Sequence, residues 1–173
     1  KAMLAAKVED MINTVVRQIA FYTFERSVHT ERRTGELTAD RLCELWMEVQ
    51  RESLGPAIDL RPGYETFWSY IPHFIHSRFY CYSYVFGELL VLSLYRRYKE
   101  EGAAFMPKYL ALLEAGGSDS PEALLRPLGV DFHDPAFWQK GFDEIRALVD
   151  RAEALAASLA PPKFGAGLRP NAG

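Results

Sequence analysis

The chain has 173 residues, a net charge of −3 at pH 7 and 49% apolar residues, values that are typical of a single globular domain. A slightly acidic charge balance removes the electrostatic reason to expect nucleic-acid binding. The longest apolar stretch, near residues 89–94, is much shorter than the roughly 20 residues that cross a bilayer. We therefore expect neither a nucleic-acid partner nor a membrane segment.

The cysteines and the first residues indicate the cellular compartment of the chain and whether it belongs to a longer polypeptide. Cys43 and Cys81 have neither the spacing of metal ligands nor that of a disulfide framework, so we expect a reducing, cytoplasmic environment. No signal peptide is expected, because no basic start precedes a short apolar run and a small-residue cleavage site. The helical pattern is already under way at Lys1, so we expect the chain to be part of a longer or processed polypeptide.

Helical periodicity dominates the chain, and most prolines and glycines lie between the periodic segments. The first predicted helices cover residues 2–33, residues 38–53 with Thr38 as N-cap, and a short segment that contains Phe67 and Trp68. Two longer helices follow over residues 77–101 and 105–115. The last two begin at Ser120-Pro121 and at Asp134-Pro135, and the second of these ends near residue 159. No run alternates long enough to predict a strand. We predict an all-α fold, with residues 1–159 as one helical unit and residues 160–173 as a loose tail.

A cluster of histidine and tyrosine residues makes residues 68–88 unusual. His73 precedes the predicted helix, and Tyr80, Tyr82 and Tyr84 follow it closely. Tyr80 and Tyr84 are four residues apart and share a helix face, whereas Tyr82 points the other way. An imidazole and phenols gathered in this way could donate hydrogen bonds to a developing oxyanion. The alternative is that the rings are buried and their hydroxyls bind water or carbonyl groups.

The first predicted helix carries a polar stripe of Gln18, Tyr22, Glu25 and His29 on an otherwise largely apolar surface. A helix that is apolar around much of its circumference is expected to be buried. Its polar stripe should then face a polar cleft or satisfied partners. The alternative is that Glu25 and Arg17 form internal ion pairs or helix caps.

Two residue pairs have a spacing that could ligate a metal: His73 with His76, and Glu25 with His29. Neither pair belongs to an H-E-x-x-H motif, and the sequence has no C-x-x-C motif, so we expect these histidines to be ordinary polar residues. The sequence also lacks the G-x-S-x-G nucleophile motif and the G-x-x-x-x-G-K-[ST] phosphate loop.

Three blocks of sequence form a more specific pattern. They are R-Q-x-x-F-x-x-F-E at residues 17–25, I-P-H-F at residues 71–74 followed by F-Y-x-Y-x-Y at residues 79–84, and Y-x-x-L-L-x-x-G-G-S-x-x-P at residues 109–121. In order and spacing, over about residues 8–149, these blocks resemble the C-terminal part of oligoendopeptidase F, a zinc metallopeptidase family related to thimet oligopeptidase.

The resemblance implies a mainly helical, clam-like enzyme that cleaves short peptides inside a deep channel. An H-E-x-x-H helix and a later glutamate would hold the catalytic zinc ion, and these elements would precede Lys1. Zinc would therefore be a cofactor of the complete enzyme, with none bound by residues of this chain alone.

The resemblance also implies roles for residues of this chain. His73 would hydrogen-bond the substrate backbone, while Tyr84 and Tyr80 would donate to the oxyanion of the tetrahedral intermediate. Tyr82 could contact substrate or simply pack. In the thimet branch the pattern is shifted and a tyrosine stands where this chain has Cys81, so the assignment among the three tyrosines stays open.

Gln18 and Glu25 would line the cleft or support the residues that touch substrate. A non-catalytic alternative also remains, in which the chain is a helical module that binds peptides or self-associates through the aromatic surface around residues 79–86. A plain helical bundle without activity of its own is the third interpretation.

Overall fold

Side-chain caps begin three of the helices in the computed structural model, which describes residues 2–158. The hydroxyls of Thr38 and Ser120 each accept a hydrogen bond from the backbone N–H three residues later, at 3.2 Å. The carboxylate of Asp134 accepts from the backbone N–H two residues later, at 2.9 Å. Each contact satisfies a backbone donor that has no partner within the helix. All three helix starts were predicted from the sequence, and they are confirmed.

The described residues contain eight α-helices and no strand, which confirms the all-α prediction. The helices are α1 (Ala2–Ile12), α2 (Gln18–Glu31), α3 (Ala39–Leu54), α4 (Pro72–Ile75), α5 (Cys81–Glu101), α6 (Met106–Ala115), α7 (Pro121–Leu125) and α8 (Pro135–Ala157). Short 3-10 segments lie between them at Gly55–Ala57, Tyr64–Tyr70, Gly102–Phe105 and Arg126–Leu128. No helix of this part of the chain is both long and apolar enough to cross a membrane.

Several helix predictions differ from the structure. The short predicted segment that contains Phe67 and Trp68 is a 3-10 helix, Tyr64–Tyr70, and Pro72–Ile75, where no helix was predicted, forms α4. The helix predicted over residues 2–33 is divided by a π-helical turn, Asn13–Arg17, between α1 and α2. The helix predicted from residue 77 begins only at Cys81. The reason is that Phe79 adopts a left-handed backbone conformation, with φ of 61°, which an α-helix cannot include. The predicted tail, residues 160–173, lies outside the described residues.

Helix α5 connects two hydrophobic cores. The first core packs α2 against α3 around Trp46, which is 1% exposed and donates its indole N–H to the Tyr64 carbonyl at 3.1 Å. Cys81, at the start of α5, is buried in this core. The second core surrounds Leu94 of the same helix and includes Phe105. The tyrosines at the start of α5 therefore belong to a helix that is fixed at both ends.

Helices α5 and α8 approach each other closely at Gly141. A Cβ atom at this glycine would lie 2.9 Å from Ser93 Oγ and 3.0 Å from the Leu89 carbonyl oxygen, so only glycine fits. One turn further along α8, the buried Glu144 accepts hydrogen bonds from Arg96 and Lys99 of α5. These contacts fix the register of α8 against α5.

Candidate active site

His73, Tyr80 and Tyr84 form one cluster where α4 and α5 meet. Pro72 occupies the first turn of α4, where its fixed φ suits a helix start, and it places His73 beside the beginning of α5. His73 Nε2 lies 2.9 Å from the Tyr84 hydroxyl. The Tyr80 ring is nearly parallel to the imidazole, with centroids 6.1 Å apart, and meets the Tyr84 ring edge to face at 5.3 Å. The predicted grouping of these three side chains is therefore present.

The cluster is accessible from solvent. Tyr80 is 51% exposed and Tyr84 is 37% exposed, whereas Cys81 between them is fully buried. The two rings are therefore not enclosed by an apolar core. Their hydroxyls are accessible to a ligand. The interpretation in which these tyrosines are buried anchors does not fit this exposure.

The tautomer of the His73 imidazole determines whether Tyr84 accepts or donates in this contact. When Nε2 carries the proton, the imidazole donates to the Tyr84 oxygen and the phenol keeps its own proton for another acceptor. In the opposite tautomer the Tyr84 hydroxyl would donate its proton to His73 Nε2 and could not donate it to a ligand. The first arrangement turns the pair into a directed donor, which is the chemistry that an oxyanion requires.

Tyr82 lies apart from this cluster. It is 55% exposed and lines an apolar cavity of about 240 Å³ together with Tyr22 of α2 and Trp138 of α8. This placement follows from helix geometry, because a residue two positions from Tyr80 and Tyr84 points to the other side of α5. The substrate contact suggested for Tyr82 is untested by the structure and stays a prediction.

Gln18 and Glu25 are seven residues apart on α2. Glu25 is 4% exposed, and its Oε1 accepts the backbone N–H of Phe79 at 2.7 Å. Glu25 Oε2 and Gln18 Oε1 are both buried without a hydrogen-bond partner among the described residues. Glu25 therefore lies beneath the turn that leads into α5, on the inner side of the cluster.

Phe79 belongs to the F-Y-x-Y-x-Y block, but the sequence pattern did not indicate it as a site residue, and its backbone conformation was not expected. It is a left-handed non-glycine residue, and its ring lies 4.6 Å from that of His29, centroid to centroid. A sequence rarely signals such a residue, because glycine and asparagine are the usual markers of this conformation. The conformation of Phe79 is explained by its contact with Glu25, which is 54 positions away in the chain and so gives no local sequence signal.

The described residues do not group as the ligands of a metal ion do. Within residues 2–158, no group of three or more His, Cys, Asp or Glu side chains could hold one. His29, half of one candidate pair, instead packs against Phe79. Cys81 is not an exposed thiolate either, since burial and the neighbouring Glu25 carboxylate raise the pKa of its thiol to about 11. We therefore assign no metal ligand to this part of the chain.

The all-α fold and the exposed donor cluster fit a helical peptidase, and comparison with known proteins gives the family. The family model for peptidase family M3 matches residues 1–144, and the chain belongs to this family. No solved structure matches the chain significantly.

Curated relatives carry peptidase names. The chain is 34% identical over 130 residues to oligopeptidase PepF of Bacillus subtilis (strain 168), a match that covers 73% of this chain and 19% of the relative. It is 32% identical over 132 residues to an oligoendopeptidase F homolog of Borreliella burgdorferi, covering 76% and 22%. A plasmid oligoendopeptidase F of Lactococcus lactis subsp. cremoris is 28% identical over 155 residues, covering 89% and 26%. The chain thus spans about a fifth to a quarter of the length of these relatives.

Proposed function

We propose that this chain forms the substrate-binding and oxyanion-stabilising wall of a zinc-dependent oligoendopeptidase that hydrolyses short peptides. The observation that carries the proposal is the 2.9 Å contact between His73 Nε2 and the Tyr84 hydroxyl, in a cluster open to solvent. Membership of peptidase family M3, and the oligopeptidase names of the relatives, support the same class of reaction.

Tyr84 is the proposed oxyanion donor. Attack on a peptide carbonyl turns its oxygen into an oxyanion, and a donor already aimed at that position stabilises the transition state more than the substrate. The phenol meets this requirement because His73 can donate to its oxygen and thereby leave its proton directed outward. Tyr80 is the second donor in reach of the same space, since its ring contacts both other rings.

His73 has a second proposed role. With Nε2 engaged by Tyr84, its Nδ1 is the acceptor of the imidazole and can receive a backbone N–H of the bound peptide. Such a contact would fix the peptide so that its scissile carbonyl faces Tyr84. Tyr82 would contact the peptide only from the other side of α5.

The zinc site is proposed to lie in sequence outside this chain. The described residues do not form a metal-binding group, and the sequence contains no H-E-x-x-H motif. The two histidine ligands, the general-base glutamate and the third ligand would therefore be supplied by other parts of the complete polypeptide.

One experiment tests whether the zinc site and the proposed oxyanion site belong to different parts of one polypeptide. The reading frame upstream of Lys1 should encode an H-E-x-x-H motif some tens of residues before it, followed by a further glutamate. The complete polypeptide should hydrolyse short peptides and lose this activity to a chelator, and residues 1–173 alone should be inactive. A start codon just before Lys1 without such a motif, or chelator-resistant hydrolysis by residues 1–173, would contradict the proposal.

Self-association is a second candidate for the isolated chain, favoured by apolar surface on α5 and α6. Val91, Tyr95 and Met106 are exposed around a cavity of about 220 Å³. Exposed apolar patches of this kind mark surfaces that associate. Light scattering of residues 1–173 at increasing concentration should show dimers or larger species, and a monomer throughout would exclude this candidate.

A further inference from the structure

The structure contains two buried glutamates whose surroundings differ sharply. Glu25 and Glu144 are 4% and 5% exposed. Glu144 accepts hydrogen bonds from Arg96 and Lys99, one to each carboxylate oxygen. Glu25 binds only one neutral donor, the backbone N–H of Phe79, and its other oxygen has no partner among residues 2–158.

This difference argues against a purely stabilising role for Glu25. A buried carboxylate with a single neutral donor is unfavourable compared with a neutral or apolar residue of the same size. Glu25 is buried near Cys81, which belongs to the first core, and an apolar side chain would be expected at such a position. The presence of a carboxylate at position 25 is therefore better explained by the effect of its hydrogen bond to Phe79.

That hydrogen bond holds a strained turn. Phe79 has φ of 61°, a conformation that a bulky L-residue adopts only when its surroundings impose it. Glu25 accepts a hydrogen bond from the backbone N–H of this residue at 2.7 Å, and His29 of the same helix contacts its ring. Helix α2 therefore holds Phe79 in place through both its backbone and its side chain.

The turn sets the geometry of the cluster. Tyr80 is the residue after Phe79 and the N-cap of α5, and Tyr84 lies one helical turn further. The direction in which α5 leaves the turn therefore decides where both phenols point relative to His73. A displacement of about 1 Å at a catalytic group can lower a rate 10²-fold.

We infer that Glu25 is a positioning residue, which holds the Phe79 turn so that Tyr84 and Tyr80 meet the reacting peptide carbonyl in the right orientation. This inference rests on the proposed function of the cluster. Glu25 itself touches neither substrate nor the reacting atoms, so its effect passes through the backbone of Phe79.

The test uses kcat and KM of the complete polypeptide with short peptides. Glu25→Met keeps the length of the side chain but removes the acceptor, and should lower kcat about 10- to 100-fold with little change in KM. Glu25→Asp, which retracts the acceptor by one methylene, should also lower kcat, and it serves as the test variant if Glu25→Met does not fold. Glu25→Gln keeps an oxygen acceptor and should recover most of the rate.

Two further variants separate positioning from stability. Glu144→Gln removes the other buried carboxylate, far from the cluster, and should lower the unfolding temperature without changing kcat. In a Tyr84→Phe background, Glu25→Met should reduce kcat much less than it does alone, because the main donor that it positions, the Tyr84 hydroxyl, is gone.

The outcomes distinguish the inference from the function on which it rests. If Tyr84→Phe lowers kcat strongly while Glu25→Met and Glu25→Asp stay within a few-fold of the parent, Glu25 is not a positioning residue and the proposed function stands. If the losses from Glu25→Met and Tyr84→Phe simply multiply, the effect does not pass through Tyr84 and the inference is wrong. If Tyr84→Phe itself has no effect on kcat, the proposed function fails and the inference fails with it.

Discussion

The carboxylate of Glu144 is ionised by its neighbours in spite of its burial. Burial alone would raise the pKa of this group, but the hydrogen bonds from Lys99 and Arg96 outweigh that effect and hold the pKa below its ordinary value. Since both cations belong to α5 and Glu144 belongs to α8, ionisation stabilises the contact between the two helices. The stability of this contact should therefore depend on pH.

Replacing Glu144 by glutamine should lower the free energy of unfolding at pH 7 by about 1–2 kcal/mol, because two charge-assisted hydrogen bonds are weakened. The native carboxylate stabilises the fold above the ordinary pKa of a glutamate, about 4.3, and this contribution is lost as the pH falls through the lowered folded-state pKa. Urea unfolding at a series of pH values should show the gap between parent and variant closing below about pH 4. A gap that stays constant into acid would show that Glu144 does not contribute through its charge.

The residues of the cluster were more predictable than the turn that holds them. His73, Tyr80 and Tyr84 stand out as unusual residue types at helical spacing, and the structure brings them together. Phe79 has no such signal, because its conformation depends on Glu25, which is distant in sequence. Local patterns can indicate which residues meet, but not a backbone conformation imposed by tertiary contact.

Helix starts and ends were predictable where a nearby side chain caps the backbone or a glycine adopts a positive φ. Thr38, Ser120 and Asp134 cap the helices that they were predicted to cap. Gly102 and Gly116 end helices with positive φ, which glycine adopts without strain. Two of the differences, the π-turn at Asn13–Arg17 and the late start of α5, lie where helices pack against one another and no local marker exists.

Close packing of α5 and α8 gives a second prediction. Gly141→Ala should destabilise the fold by about 1–3 kcal/mol, because its Cβ would lie within 3.0 Å of Ser93 Oγ and the Leu89 carbonyl oxygen. Gly87→Ala is the matched control, since a Cβ atom at this helical glycine of α5 would meet no atom of another element within 4 Å. It should be neutral or stabilising by up to about 1 kcal/mol. Thermal unfolding of both variants checks this pair, and equal stability of the two would contradict the packing account.

Residues 2–158 form a helical scaffold whose proposed functional surface lies at one end of α5. The two cores hold this helix, the turn at Phe79 sets its start, and the cluster of His73, Tyr80 and Tyr84 is open to solvent. Tyr82 lies on the other side of α5, where it lines an apolar cavity. The curated relatives are about four to five times longer than the region matched, so the proposed peptide channel would be completed by sequence outside this chain.

The rate of peptide hydrolysis by a Tyr84→Phe variant of the complete polypeptide tests the central claim most directly. Loss of an oxyanion donor should lower kcat by about 10²–10³ and leave KM nearly unchanged. Tyr98→Phe, another partly exposed tyrosine of α5, is the matched control and should keep the parental kcat. A Tyr84→Phe variant that retains the parental kcat, or changes only KM, would contradict the assignment of this cluster as the oxyanion site.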